Sequence, residues 1–201
     1  MKHLTDTLKS PMTSLYESIF DDDIVTRKIE PEEHIRDFLQ KNYKLNPEYI
    51  TINQNERTKE YVIDVNGSVY ANSDIESLTD GLFKFGCISG NFDCSHCANL
   101  KSLEGGPKEV GGRFYCFSCT SLTSLKGAPK EVGEDFDCSH CTSLTSLEGA
   151  PKVCRNFNCK GCVRLKSLKG LPEIIKQNLH CSGCGVDFSK EEIKKYSKVR
   201  K

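Results

Sequence analysis

The sequence has no excess of either charge and no long apolar run. Its 28 basic residues are balanced by 28 acidic residues, and 37% of the chain is hydrophobic. The charge balance disfavours binding of polyanions through bulk charge, and the hydrophobic fraction argues against a disordered chain. No stretch approaches the roughly 20 apolar residues that a membrane-spanning helix needs. We therefore expect a folded protein that does not enter a membrane.

The amino terminus also lacks the apolar core of a secretory signal in residues 1–6. We therefore expect a cytoplasmic protein, in which the 12 cysteines are reduced thiols or metal ligands rather than disulfides. Two of these cysteines, Cys87 and Cys154, stand alone. Neither has a histidine or an acid at a spacing that would activate it as a nucleophile. We expect no enzymatic activity and no catalytic residues.

What the sequence does contain is a repeat. The hexapeptide FDCSHC of residues 92–97 returns in four further copies, each of which ends on a CxxC pair. The five copies begin at Phe92, Phe114, Phe136, Phe157 and Leu179, at spacings of 22, 22, 21 and 22 residues. A leucine, a Ser-Leu dipeptide and a Gly-x-Pro return follow each of the first four pairs, and a degenerate earlier copy begins at Val69. This period predicts an α/β repeat, a β-solenoid of about five or six coils with short parallel strands.

The offsets within the repeat resemble those of leucine-rich repeats. The inward positions of the LxLxxN/CxxL signature are occupied by Phe92, Cys94, Cys97, Leu100 and Leu103. The pattern SLxGxPxxVGxxFxC is similar to short, cysteine-containing repeats encoded by bacteria and tailed phages. The resemblance implies a non-enzymatic protein-binding scaffold, an adaptor or inhibitor, in the cytoplasm of a bacterium or of an infected host cell. Enzymatic relatives carry a separate catalytic domain, for which the 17 residues after Cys184 leave no room.

The repeats are expected to lie between helical segments. Residues 1–28 are predicted as an amphipathic helix and an acidic linker, and this helix docks either on its own domain or on another protein. Residues 29–68 are predicted as a cap made of a helix, which begins at Pro31, and a β-hairpin. Residues 69–186 hold the cysteine-containing repeats. Residues 187–201 are predicted as a basic capping helix, because Ser189 and Glu192 form a capping box.

The CxxC pairs allow two interpretations. Successive pairs are separated by 17 or 18 residues, which fits a four-cysteine zinc site, and His96 and His140 add a nitrogen donor beside two of the pairs. The candidate ligands are Cys94, Cys97, Cys116, Cys119, Cys138, Cys141, Cys159, Cys162, Cys181 and Cys184. The repeat itself imposes this spacing, however, and a thiol at a core position packs as a small hydrophobe. We favour thiol ladders without a cofactor. A zinc-stabilised array that binds nucleic acid is the alternative.

The residues that alternate with the inward positions are the candidate binding residues. In strands that begin at each phenylalanine, these residues face the concave surface of the solenoid. Tyr115 and Phe117 then project side by side, and aromatic side chains dominate the hot spots of protein interfaces. The candidate set is Asp93, His96, Tyr115, Phe117, Asp137, His140, Lys160 and His180. The expected partner is a protein, and neither nucleic acid nor a membrane is favoured.

Overall fold

The chain forms a β-solenoid of about five coils, as the repeat predicts. The structure is a computed structural model that describes residues 30–199. The helix predicted within residues 1–28 lies outside the described residues. No helix in the described part of the chain is long and apolar enough to cross a bilayer.

The solenoid is built from fourteen strands, most of them two residues long. In chain order they are β1 (Ile50–Gln54), β2 (Tyr61–Val65), β3 (Val69–Tyr70), β4 (Phe83–Ile88), β5 (Phe92–Asp93), β6 (Glu109–Val110), β7 (Phe114–Tyr115), β8 (Glu131–Val132), β9 (Phe136–Asp137), β10 (Val153–Cys154), β11 (Phe157–Asn158), β12 (Ile174–Ile175), β13 (Leu179–His180) and β14 (Lys198–Val199). They form two sheets. The first has the order β1-β2-β4-β6-β8-β10-β12-β14, and the second has the order β13-β11-β9-β7-β5-β3.

Each coil from β4 to β13 therefore contributes one strand to each sheet. The sequence pattern predicts the strands of the second sheet, which begin at the phenylalanines. It does not predict the first sheet, which is formed by the residues that follow the Gly-x-Pro return. A strand of two residues is too short to show the alternation by which strands are recognised in a sequence.

The helix α1 (Pro31–Tyr43) lies at the amino-terminal end of the solenoid, as predicted. Its buried side chains Ile35, Leu39 and Tyr43 join the hydrophobic core. The Tyr43 hydroxyl donates a hydrogen bond of 2.5 Å to the Leu78 carbonyl oxygen, which satisfies a buried polar group. A short 3-10 helix (Pro47–Tyr49) then leads into the hairpin of β1 and β2, whose strands pair antiparallel. All other strand pairs are parallel.

A stack of four phenylalanine rings runs through the core beneath the second sheet. The rings of Phe92, Phe114, Phe136 and Phe157 have centroid separations of 5.4, 5.1 and 5.3 Å and are within 5° of parallel. All four side chains are fully buried. The stack arises because β5, β7, β9 and β11 pair in register, so that each phenylalanine lies beside the next.

The glycine of the Gly-x-Pro return is required by the stacking of coils. Gly127 adopts a left-handed backbone conformation with φ of 90°. A Cβ atom at this position would overlap the Leu103 carbonyl group of the preceding coil. The close approach and the positive φ both exclude other residues without strain.

The short coil loses its residue at the corner between the two sheets. Three residues separate β8 from β9, but only two, Arg155 and Asn156, separate β10 from β11. The sheets remain continuous on both sides, with Val153 paired to Glu131 and Phe157 paired to Phe136. Cys154 is fully buried on the inner side of β10, which agrees with a core position for this lone cysteine.

The carboxyl-terminal helix α2 (Lys190–Tyr196) caps the solenoid as predicted. The Ser189 side chain accepts a hydrogen bond of 3.1 Å from the Glu192 backbone N–H. Ile193 and Tyr196 are partly buried against the core, as is Phe188 before the helix. The strand β14 then adds to the edge of the first sheet beside β12.

Replacement of one stacked ring should destabilise the protein strongly. We expect Phe114→Ala to lower the free energy of unfolding by about 3 to 5 kcal/mol, because it removes a buried ring between two others. The exposed Lys126→Ala in the same coil should change it by less than about 0.5 kcal/mol. Urea unfolding followed by circular dichroism measures both. Similar losses for the two variants would contradict a core role for the stack.

Candidate binding surface on the second sheet

The outer face of the second sheet carries a row of side chains at one position of the repeat. In-register pairing places in this row Tyr70, Asp93, Tyr115, Asp137, Asn158 and His180. Neighbouring members are separated by the strand spacing of about 4.8 Å. Tyr70, 57% exposed, is a member that the sequence analysis missed. The signal was present, since Val69 aligns with Phe92 and Tyr70 therefore aligns with Asp93.

Three predicted binding residues meet in an aromatic cluster, which we define as His96, Tyr115 and Phe117. The Phe117 ring lies edge-on to His96 at 4.7 Å and to Tyr115 at 6.2 Å between centroids. His96 has a left-handed backbone with φ of 62°. The Tyr115 hydroxyl accepts a hydrogen bond of 3.3 Å from Arg113 Nη1. Tyr115 and Phe117 are half-buried, because the members of the cluster cover one another on the sheet surface.

The imidazole of His140 extends toward the following coil. Its ring lies over Gly161, where an added Cβ would come within 2.6 Å of His140 Nδ1. His96 likewise reaches the following coil through its contact with Phe117. The structure therefore brings His96 against Phe117, whereas His140 extends away from the coil that carries Phe117. Both histidines are exposed.

A cleft of about 220 Å³ continues the surface toward the carboxyl-terminal end. Its lining includes the predicted residues Tyr115, Asp137 and His180. The Asp137 carboxylate accepts hydrogen bonds from the Ser139 backbone N–H at 2.8 Å and from Asn158 Nδ2 at 2.9 Å. These bonds hold the polar side chains of the cleft in fixed positions. Lys160 is exposed in the next row, and its backbone N–H donates to Asn158 Oδ1 at 3.1 Å.

An ion network occupies the corner beside this surface. Arg155 Nε lies 3.0 Å from Asp135 Oδ1, and Arg113 Nε lies 2.9 Å from Glu134 Oε2. Partial burial opposes ionisation of Asp135, but hydrogen bonds from Arg155 and Asn156 outweigh it and hold the pKa of this carboxyl below its ordinary value. The shortened corner places Arg155 next to the carboxylates of the preceding coil.

The cysteines form a ladder of hydrogen bonds through the core. The second cysteine of each coil donates its S–H to the carbonyl oxygen of the first cysteine in the preceding coil. These bonds are Cys119 to Cys94 at 3.0 Å, Cys141 to Cys116 at 3.1 Å, Cys162 to Cys138 at 3.2 Å and Cys184 to Cys159 at 3.3 Å. Burial raises the pKa of the Cys116 and Cys138 thiols well above the ordinary value, so both are protonated near neutral pH.

The ladder accounts for the inward position of the CxxC pairs without a bound ion. Cys94, Cys97 and their equivalents in the next three coils are fully buried. Within residues 30–199, no group of three or more histidine, cysteine, aspartate or glutamate side chains is placed to hold a metal ion. The zinc interpretation remains a prediction, and we return to it with an experiment.

A groove of about 650 Å³ runs along the outer face of the first sheet. Its lining includes Asp64, Glu109, Glu131 and Val153. The exposed Cys87 also lies in this groove. Sequence analysis missed the groove because it missed the first sheet.

Comparison with known proteins finds no relative: no family model matches the chain, and no curated protein or solved structure matches it significantly. The resemblance to leucine-rich repeats therefore stays a prediction from the repeat pattern. The case for a function rests on the geometry of this chain.

Cys184 should react with alkylating agents at lower pH than Cys87. A hydrogen bond from the Cys159 thiol lowers the pKa of Cys184 to about 7, against the opposing effect of partial burial. Slight burial and the nearby carboxylates of Glu109 and Asp64 raise the pKa of Cys87. Because the thiolate is the reactive form, the alkylation rate should be half-maximal near pH 7 for Cys184 and well above it for Cys87. Peptide mass spectrometry over a pH series measures both rates, and coincident profiles would contradict the assignment.

Proposed function

We propose that the protein is a non-enzymatic protein-binding scaffold of the leucine-rich-repeat type, an adaptor or an inhibitor. The partner is held on the outer face of the second sheet. The observation that carries this proposal is the aromatic cluster, whose three rings lie on the sheet surface and outside the core.

The aromatic surface extends beyond the cluster. Tyr70 lies in the same row as Tyr115 and two strands away, which corresponds to about 9.6 Å at the usual strand spacing. Tyrosine is enriched in protein hot spots because it combines a large apolar ring with a polar end. Asp93 stands between the two tyrosines, and exposed His180 and Lys160 lie further along the sheet. Apolar rings with a polar margin are the arrangement of a protein interface.

The surface is rigid before a partner arrives. The Asp93 carboxylate accepts the Ser95 backbone N–H at 2.9 Å, and Asp137 holds Ser139 and Asn158 in the same way. Beneath them lies the phenylalanine stack. A surface held in one conformation loses little side-chain entropy on binding, which favours affinity. These carboxylates act as turn-forming acceptors, so the proposal assigns no chemistry to them.

Removal of two rings should abolish partner binding and leave the fold intact. We expect the double variant Tyr115→Ala and Phe117→Ala to lose the partner, because hot-spot side chains contribute about 2 kcal/mol or more each. Affinity capture from a lysate of the native host, followed by titration of the identified partner against the purified chain, measures the loss.

The matched control lies on the other sheet. The double variant Glu109→Ala and Glu131→Ala removes two exposed side chains from the groove of the first sheet and should retain the partner. Circular dichroism should show that both variants are folded. Partner binding that survives the loss of Tyr115 and Phe117 but not that of the two glutamates would move the interface to the first sheet.

The alternative of a zinc-stabilised array that binds nucleic acid can be tested directly. No contact among the described residues favours it, because the thiols of the second cysteines already donate to carbonyl oxygens. We expect protein purified without a chelator to contain zinc far below stoichiometric amounts. Elemental analysis of the purified chain gives the answer, and near-stoichiometric zinc would overturn the thiol ladder.

A further inference from the structure

The last rung of the cysteine ladder differs from the inner rungs. We define the terminal thiol pair as Cys159 and Cys184. Cys184 Sγ lies 3.3 Å from the Cys159 carbonyl oxygen, and the two thiols also hydrogen-bond to each other. The same contact joins Cys94 to Cys119 in an inner rung. The terminal pair therefore repeats the geometry of the interior at the end of the solenoid.

Solvent reaches only the terminal pair. Cys119, Cys141 and Cys162, the second cysteines of the inner rungs, are fully buried, whereas Cys184 is half-buried. Within residues 30–199, no strand follows β13 in the second sheet, so no further coil covers this rung. Cys159 remains fully buried beneath it. The pair thus combines an accessible thiol with a sealed thiol in contact with it.

We propose that the terminal thiol pair is a site of thiol–disulfide exchange with low-molecular-weight disulfides of the glutathione class. The product is a disulfide between Cys159 and Cys184 that joins the last two coils. Reactive dithiols of this kind need one exposed sulfur to attack and a second sulfur nearby to resolve the intermediate.

The reaction proceeds in two exchanges. Cys184 loses its proton to solvent and attacks one sulfur of the small disulfide, whose S–S bond breaks and releases one thiolate. The Cys159 sulfur then loses its proton, attacks the Cys184 sulfur of this mixed disulfide and displaces the second small thiol. The two protein thiols are oxidised by two electrons, and the small disulfide is reduced to two thiols.

The other cysteines lack one of the two requirements. Cys87 is exposed but has no thiol in contact with it, so it can form only a mixed disulfide. The inner rungs have the contact but not the access. Cys181 is half-buried and lies in register with Cys159, which makes it the competitor that an experiment must exclude.

Tryptic peptides separate the relevant sulfurs. Cys159 lies in residues 156–160 (NFNCK), Cys162 in residues 161–164 (GCVR), and Cys181 and Cys184 share residues 177–190 (QNLHCSGCGVDFSK). The native full-length chain, with Cys87→Ser as background, is incubated with excess oxidised glutathione, blocked with iodoacetamide and digested. We expect one major disulfide-linked species, which joins 156–160 to 177–190 and disappears on reduction.

Two further substitutions decide which sulfur reacts. In the same background, Cys184→Ser should abolish the linked species, and the matched Cys181→Ser should retain it. Circular dichroism before oxidation checks that each variant is folded. Persistence of the link in Cys184→Ser would overturn the proposal, as would its loss in a folded Cys181→Ser variant. A glutathione adduct on 177–190 without a link to 156–160 would also overturn it, since Cys159 would then not resolve the intermediate.

Discussion

The in-register pairing of backbone groups between successive coils is the constraint on which the rest of the structure depends. In the second sheet, each coil donates N–H groups to carbonyl oxygens of the next coil, as from Phe114 to Asp135 and from Cys116 to Asp137, both at 2.9 Å. Pairing of this kind places each repeat position directly over its equivalent. The phenylalanine rings, the thiols and the outer polar side chains therefore form continuous rows.

The same constraint explains which residues each position accepts. Stacked coils leave no room for a Cβ atom at Gly127, and a flat ring such as Phe136 packs well against an identical ring. A cysteine fits the inner position because it is small and because its S–H can donate to a carbonyl oxygen one coil away. A leucine in its place would provide no donor for that carbonyl group. Where the last coil ends, at Cys184, the row loses its cover and its thiol reaches solvent.

The outer faces are free from this constraint, and there the coils differ. One row of the second sheet holds tyrosine, aspartate, asparagine and histidine at equivalent positions, and the first sheet carries glutamates at two of its outer positions. Variation on a scaffold of constant spacing is suited to recognition, because the backbone places each side chain at a set distance from its neighbours. The proposed binding function uses the aromatic part of this variation, and the core only supports it.

The repeat alone predicts the solenoid, the stacked phenylalanines and the inward cysteines, because a recurring apolar pattern at this period has few ways to bury its side chains. The capping box of Ser189 likewise predicts the helix after the repeats. The first sheet, its groove and the position of Tyr70 beside the aromatic cluster required the tertiary structure, because two-residue strands carry no local signal. Only the tertiary structure separates Cys184 from the equivalent inner cysteines, since their sequence motif is the same and burial by the next coil makes the difference.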